Sequence, residues 1–124
     1  MDVSIDRKQR VAKYFIAWKE YDMDLLRDIF FSTAKYVIRG KRTYYGIDEI
    51  VQYWERNKKR QKDIQLYWKI LNTSFHCEIV EFGAYFWDLE EEVYTKINGQ
   101  IIFKYNSKNQ IIKLTEAYKK RTTK

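Results

Sequence analysis

Residues 6–18 of the chain read DRKQRVAKYFIAW, and this stretch indicates that the chain begins with a helix. Its apolar residues recur at the three- and four-residue spacing that places side chains on one face of a helix. These residues are Val11, Tyr14, Phe15 and Trp18. The pattern predicts an amphipathic first helix whose aromatic face is buried.

Two more helices follow, separated by short strands. Residues 22–30, DMDLLRDIF, predict a second, shorter helix with Asp22 as its N-cap. Residues 45–54, YGIDEIVQYW, predict the start of a third helix with one apolar face. Between them, residues 35–39 and 43–45 alternate in the way expected of short strands.

After the third helix the chain consists of strands and turns. The predicted strands cover residues 64–71, 79–89, 93–105 and 110–119. Asn98-Gly99 interrupts the third of these and predicts either a tight hairpin turn or a bulge. The order of elements predicts an α+β fold, in which a curved, mainly antiparallel sheet wraps around three N-terminal helices. Such a sheet forms a cone with an apolar pocket at its wide end.

Composition limits the class of protein further. A chain of 124 residues with 45% hydrophobic residues is expected to form a single domain over residues 1–124, without disulfides or a structural metal. Cys77 is the only cysteine, so an intramolecular disulfide is excluded. The sequence has no signal-peptide pattern and no apolar run near the ~18 residues of a membrane helix. We therefore expect a cytoplasmic protein that does not enter the membrane.

The net charge of +7 raises the question of nucleic-acid binding. The basic residues concentrate in residues 56–62, at the end of the third helix, and in residues 119–124. Cations at a helix C-terminus interact favourably with the helix dipole and keep a surface soluble. We therefore do not expect a nucleic-acid site. A partner- or nucleic-acid-binding surface is the alternative, and steep salt dependence of binding would favour it.

The chain resembles the nuclear transport factor 2-like (NTF2-like) superfamily, in its bacterial SnoaL-like and ketosteroid-isomerase-like branch. The resemblance spans about residues 10–118 and is carried by residues 11–18, 22–26, 45–50, 103–106 and 111–118. It implies the cone-shaped fold and homodimers that associate through their sheets. It does not imply one activity, because this fold hosts isomerases, cyclases, dehydratases, epoxide hydrolases and non-enzymatic binders.

The isomerase branch of the resemblance implies three site positions. Its oxyanion-stabilising tyrosine corresponds to Tyr14, which is present. Its general-base aspartate and its second, protonated acid correspond to Ile38 and Ile101, so both carboxyl groups are missing. Loss of a general base typically costs ~10²–10⁴-fold in rate. Steroid isomerase activity is therefore not expected. Neither the Asp-Arg-Asp arrangement of the epoxide hydrolases nor the paired His/Asp arrangement of a polyketide cyclase is recognisable.

Glu116 is the most informative polar residue. By strand alternation it shares a face with Ile112, Leu114 and Tyr118. If that face lines the pocket, desolvation raises the pKa of the carboxyl group, which can then act as an acid or base or bind a basic ligand group. A structural hydrogen bond or a rim ion pair is the alternative. Tyr14 can likewise donate to a ligand oxygen or be tied to a neighbour in the core.

The remaining candidates for the pocket wall are apolar or aromatic: Trp18, Tyr36, Ile38, Tyr53, Trp54, Trp68, Ile101, Phe103 and Tyr118. No residues have metal-ligand spacing, and no phosphate loop or nucleophile elbow is present, so neither a metal nor a cofactor is indicated. The leading interpretation is a binder of a small apolar or aromatic molecule. An acid/base lyase or isomerase that uses Glu116 and Tyr14 is the second.

A homodimer is also expected from the later strands. Ile102, Ile111 and Phe82 are predicted to lie on the outer face of the sheet. An apolar patch on a one-sided sheet has to be covered, and a second copy of the chain would cover it.

Overall fold

Three helices pack against one face of a six-stranded sheet in a computed structural model that describes residues 3–123, and the side chains of residues 6–123. The helices are α1 (Val3–Glu20), α2 (Met23–Ile29) and α3 (Gly46–Lys58). The strands are β1 (Phe30–Ile38), β2 (Arg42–Tyr45), β3 (Gln61–Thr73), β4 (Cys77–Asp88), β5 (Val93–Tyr105) and β6 (Ile111–Thr123).

The strand order is β2-β1-β6-β5-β4-β3. Within the described residues, β1 and β6 form the one parallel pair, and all other neighbours are antiparallel. The sheet is open, with β2 and β3 at its edges. The predicted α+β fold, a curved and mainly antiparallel sheet against N-terminal helices, is confirmed.

The helices form where the apolar spacing predicts them, because each one has an aromatic or aliphatic face to bury. On α1, Tyr14 is fully buried, and five aromatic rings have centroids within 6.4 Å of its ring centroid. On α2, Asp22 caps the helix by accepting a hydrogen bond of 3.1 Å from the backbone N–H of Leu25. Burial of each large side chain contributes about 1.5–3 kcal/mol, so this aromatic cluster holds the helices on the sheet.

The turn or bulge predicted at Asn98-Gly99 is wrong. Strand β5 runs without interruption, and Gly99 pairs with Phe82 on one side and Tyr118 on the other. The glycine is required for a different reason: a Cβ atom at residue 99 would lie 2.0 Å from the carbonyl oxygen of Ala117. The backbones of β5 and β6 therefore approach more closely than a side chain permits.

The predicted outer face is also partly wrong, because Phe82 and Ile111 are fully buried. Phe82 lies on the inner face of β4, and strand alternation does not identify the inner face when both faces are apolar. At the start of β6 a register shift places Ile111 opposite Tyr105 and leaves Ile112 exposed. This irregularity reverses the predicted faces of residues 111 and 112, and the predicted alternation resumes from Leu114 onward.

Gly99→Ala is expected to lower the free energy of unfolding by about 2–3 kcal/mol, because the new methyl group collides with rigid backbone. Gly83→Ala is the matched control. There the methyl group meets the ring of Tyr67 at 2.0 Å, and that ring is 39% exposed and can rotate away. The control should cost less than about 1 kcal/mol. Equal losses in urea unfolding would contradict the close approach at Gly99.

Candidate functional site

Glu116 lies in the middle of the inner face of the sheet. Because β6 runs between β1 and β5, Glu116 pairs with Ile38 on one side and with Ile101 on the other. Its side chain points toward the helices and is only 4% exposed. A carboxyl group is thus placed among aliphatic and aromatic side chains, where its charged form is disfavoured.

Two tyrosines connect this carboxyl group to α1. The hydroxyl of Tyr36, on β1, donates to Glu116 Oε2 at 3.1 Å. The hydroxyl oxygens of Tyr14 and Tyr36 are 2.8 Å apart. While Tyr36 donates to the carboxylate, Tyr14 has to donate to Tyr36. The result is a hydrogen-bond chain from Tyr14 through Tyr36 to Glu116, which we call the Tyr–Tyr–Glu chain.

Burial determines the protonation states in this chain. It raises the pKa of Glu116 to about 7, although the Tyr36 hydrogen bond and the charge of Lys41 partly oppose the rise. Burial and the nearby Glu116 charge raise the pKa of both Tyr36 and Tyr14 well above the ordinary tyrosine value. Both phenols therefore stay protonated donors, and Glu116 is the group that gains or loses a proton near neutral pH.

A small chamber of about 30 Å³ lies beside the carboxyl group. That volume is sufficient for on the order of one water molecule or one polar ligand group. Its lining is mostly aromatic: Trp18, Tyr21, Tyr36, Tyr53, Trp54, Asn57, Gln61, Ile97, Glu116 and Tyr118. Among the described residues, Glu116 Oε1 has no hydrogen-bond partner, so it can accept from, or when protonated donate to, a group in this chamber.

A wider vestibule of about 270 Å³ adjoins the chamber. The two spaces share five lining residues, namely Tyr53, Asn57, Gln61, Ile97 and Tyr118. Glu116 is the one ionisable acidic or basic residue of the described chamber lining, whereas the vestibule is lined by several charged residues as well as aromatic ones, among them Lys41, Arg42 and Arg60. The pocket thus changes from mostly aromatic around the chamber to polar and basic in the vestibule.

The structure brings most of the predicted site residues together. Those that line the chamber are Trp18, Tyr36, Tyr53, Trp54, Glu116 and Tyr118, and Ile38 lines the vestibule. Tyr14, Ile101 and Phe103 are fully buried in the core behind the chamber. Tyr14 therefore reaches the chamber only through Tyr36.

Trp68 is separated from this group, contrary to the sequence expectation. It lies on the edge strand β3, is 38% exposed, and stacks on Phe15 with ring centroids 4.7 Å apart. It lines a different groove, between α1 and β3. Strand β3 is long enough to pass beyond the chamber, which sequence alternation does not reveal.

Three polar residues of the chamber were missed in the sequence. Asn57 follows Tyr53 by four residues on α3, so helical spacing could have placed it in the pocket. Gln61 is the first residue of β3 and accepts hydrogen bonds from Trp18 Nε1, at 3.0 Å, and from the hydroxyl of Tyr21. No sequence signal marks Gln61 or Tyr21, because their contacts join elements distant in the chain.

A second buried polar cluster was also missed. Glu78 is fully buried, and burial raises its pKa. Nearby, Arg7 is 6% exposed, donates to the backbone carbonyls of Ser74 and Phe75, and lies over the ring of Tyr105. These contacts attach α1 to the turn between β3 and β4, which is a structural role.

Neither a metal centre nor a membrane span is found in the described part of the chain. Among residues 3–123, no three His, Cys, Asp or Glu side chains are grouped as a metal site would need. No described helix combines the length and the apolar character required to cross a bilayer.

Comparison with known proteins identifies the fold. No protein-family model and no curated protein matches the chain. Among solved structures, it is similar to SalBIII, an epoxide hydrolase/cyclase-like enzyme in pyran ring formation in the polyether salinomycin. The TM-score is 0.84 and the sequence identity 19%, and the match covers 99% of this chain and 100% of SalBIII. It is also similar to the type 2 hexachlorocyclohexane dehydrochlorinase LinA, with a TM-score of 0.82, 14% identity, and coverage of 98% and 89%.

A third similar structure is an NTF2-like protein of unknown function from Exiguobacterium sp. 255-15, with a TM-score of 0.75, 15% identity, and coverage of 89% and 98%. The chain therefore has the NTF2-like fold, as the sequence resemblance implied. The differing names of these structures agree with a fold that does not determine one reaction.

Glu116 is expected to make stability depend on pH. Its pKa is raised in the folded state, so the folded protein binds this proton more tightly than the unfolded chain does. Stability should therefore fall as pH rises from about 4.5 to about 7, by about 3 kcal/mol from this group. Glu116→Gln should remove that fall and be the more stable protein at pH 8, by urea unfolding at several pH values.

Tyr36→Phe and Tyr14→Phe provide the controls for this measurement. Tyr36→Phe removes the hydrogen bond that stabilises the carboxylate, so the Glu116 transition should move up by on the order of one pH unit. Tyr14→Phe leaves that bond in place and should move the transition much less. A wild-type stability curve that matches that of Glu116→Gln throughout would show that Glu116 is not desolvated.

Proposed function

We propose that this protein binds a small organic molecule in the vestibule, with one polar group of the ligand in the chamber against Glu116. One observation supports this most strongly: Glu116 is buried, accepts one hydrogen bond, from Tyr36, and lines an adjoining cavity. The surrounding rings of Trp18, Trp54 and Tyr53 provide the flat, rigid walls that aromatic and alicyclic ligands prefer.

The energetics support a role in binding over a role in stability. A buried carboxyl group that is incompletely hydrogen-bonded costs about 1–3 kcal/mol relative to a satisfied one. A leucine or methionine at residue 116 would fill the same space without that cost. The carboxyl group therefore lowers stability at a place where it can contact a ligand, which is the usual arrangement at functional sites.

Native mass spectrometry of the freshly purified protein tests this proposal. We expect a retained small molecule whose affinity falls at least about tenfold in Glu116→Gln, a loss of about 1.4 kcal/mol. Glu81→Gln is the matched control, because Glu81 is an exposed carboxylate elsewhere on the sheet. Equal loss in both variants, or binding that persists unchanged in Glu116→Gln, would contradict a ligand at the chamber.

Acid/base catalysis is a second candidate, and a specific observation favours it. The positions at which the isomerase resemblance implies carboxyl groups are Ile38 and Ile101, and Glu116 is the cross-strand neighbour of both. Neighbouring strands lie about 4.8 Å apart, so one carboxyl group lies close to both positions where the resemblance implies one each. Tyr36, which contacts both the chamber and Glu116, would be the hydrogen-bond donor, and Tyr14 would position it.

Hydrogen exchange in D₂O separates binding from catalysis. If Glu116 acts as a base, a C–H bond of the retained ligand should exchange with solvent in the presence of the protein. Glu116→Gln should slow that exchange by ~10²-fold or more. A ligand that binds without any exchange would restrict the protein to binding.

We also propose that the protein is a homodimer. The outer face of the sheet exposes Tyr67 and Trp87, and Ile79 is paired with Ile102 on the same face. An apolar patch of this kind favours association with a second copy. The predicted contribution of Phe82 and Ile111 does not apply, since both are buried.

Sedimentation at micromolar concentration should give a mass near twice 15.3 kDa. Ile102→Lys should shift the protein toward the monomer, because a charge would then have to be buried at the interface. Phe75→Lys is the control, since Phe75 is 80% exposed in the turn between β3 and β4. A wild-type monomer at high concentration would contradict the dimer.

A further inference from the structure

We propose that the ligand of the Glu116 pocket is an organic anion, whose charged group binds at the mouth of the vestibule while its neutral end faces Glu116. This inference rests on the proposed function and adds the chemical class of the ligand. Lys41, Arg42, Arg60 and Lys120 line the vestibule, and Arg56 and Lys59 line an open groove that adjoins it and shares Arg42 and Arg60 with it. We call these six cationic side chains the basic mouth.

The basic mouth is assembled from three parts of the fold. Lys41 and Arg42 come from the turn between β1 and β2 and the first residue of β2. Arg56 comes from the C-terminal end of α3, Lys59 and Arg60 come from the turn that follows α3, and Lys120 comes from β6. Cations from separate elements therefore converge on the vestibule and the adjoining groove, whereas surface residues that serve only to keep the protein in solution do not need to lie together.

Aromatic rings of the pocket hold several of these cations in place. The guanidinium carbons of Arg42 and Arg56 lie 4.9 Å and 5.9 Å from the centroid of the Tyr44 ring. Lys41 lies 4.8 Å from the Tyr118 ring centroid and donates to the Tyr118 hydroxyl at 3.0 Å. Cation–π contacts orient these side chains toward the wall of the vestibule.

The positive charge of the mouth is not balanced by the protein. The lining includes two carboxylates, Asp88 and Glu90, and both interact with Arg60, at 2.9 Å and 3.4 Å. In residues 6–123, the other five cations of the basic mouth have no carboxylate within ion-pair distance. Like charges held together repel each other, and an anion bound between them relieves that repulsion.

The shape of the site indicates a small organic anion rather than a polyanion. Four of the cations, Lys41, Arg42, Arg60 and Lys120, line a concave space of about 270 Å³ whose other walls include Phe86, Ile97 and Tyr53. An apolar or aromatic body fits these walls. The Glu116 carboxyl group at the far end would repel a second anion when ionised, so the charged end of the ligand stays at the mouth.

A matched set of probes tests the charge preference. The set is 4-hydroxycinnamate, its uncharged primary amide and the amine tyramine, together with 2-naphthoate and 2-naphthamide. Backbone NMR shifts of Ile97 and Tyr118 report binding in the vestibule. In 50 mM salt we expect each acid to bind at least about tenfold more tightly than its amide, which is about 1.4 kcal/mol. The preference should decrease as salt is raised.

Two double variants identify the residues responsible. Arg42→Gln/Arg56→Gln should abolish most of the preference for the acid while binding of the amide stays within about twofold of wild type. Lys69→Gln/Lys104→Gln is the control, because it removes the same charge from exposed positions on β3 and β5. That control should retain the preference.

The outcomes separate the two proposals. Equal affinities of acid and amide, or tighter binding of tyramine, would overturn the organic anion while leaving small-molecule binding intact. Failure of every probe to shift Ile97 and Tyr118 would overturn both proposals together. A short DNA duplex that binds through Arg42 and Arg56 more tightly than either acid would overturn the organic anion in favour of nucleic acid.

Discussion

Strand β6 has to pair with two partners over the first half of its length and with only one over the second half. Up to Glu116 it lies between β1 and β5, and beyond Glu116 the described partners come from β5 alone. The reason is that β1 ends at Ile38, where the chain turns toward β2. The backbone N–H of Arg39 donates a hydrogen bond of 2.8 Å to the carbonyl oxygen of Glu116 at the end of this pairing. Glu116 therefore lies at the boundary between the part of β6 that is paired on both edges and the part that forms a wall of the vestibule.

The periodicity of apolar residues predicts the buried face of a helix or strand when one face is apolar and the other is polar. The helices have one apolar and one polar face, so the sequence alone predicts that Val11, Tyr14 and Phe15 lie in the core, where the structure has them. The strands carry apolar residues on both faces, and alternation alone then gives the period but not the inward direction. The prediction for Phe82 is wrong for this reason, whereas the prediction for Ile111 is wrong because of the register shift at the start of β6. An Asn-Gly pair can indicate either a turn or a close approach of two backbones, and at Gly99 the structure has the close approach.

Individual residues of the site could be predicted from the sequence, but the contacts between them could not. Alternation from Leu114 placed Glu116 on the inner face, and the family resemblance directed attention to Tyr14. Neither argument predicts that Tyr36 stands between them, because that contact joins residues on β1, α1 and β6. The basic mouth was not predicted as a unit for the same reason. Its cations are distant in sequence, and the excess of lysine and arginine at the end of α3 is explained equally well by the helix dipole.

In the proposed complex, the Tyr–Tyr–Glu chain and the basic mouth favour one orientation of the ligand in the pocket. Near neutral pH, Glu116 exists in both protonation states, so the chamber can accept a hydrogen bond from a hydroxyl group or donate one to a carbonyl group. Neither protonation state of Glu116 attracts an anion as strongly as the unpaired cations of the basic mouth do. A ligand with one charged and one neutral end gains energy at both ends in one orientation only, and it loses both contributions when reversed. In the proposed complex, the change in polarity along the pocket, more than any single residue, selects the end of the ligand that reaches the carboxyl group. In the same orientation, the neutral end lies beside the group that can exchange a proton near pH 7, which is the arrangement that acid/base chemistry on that end requires.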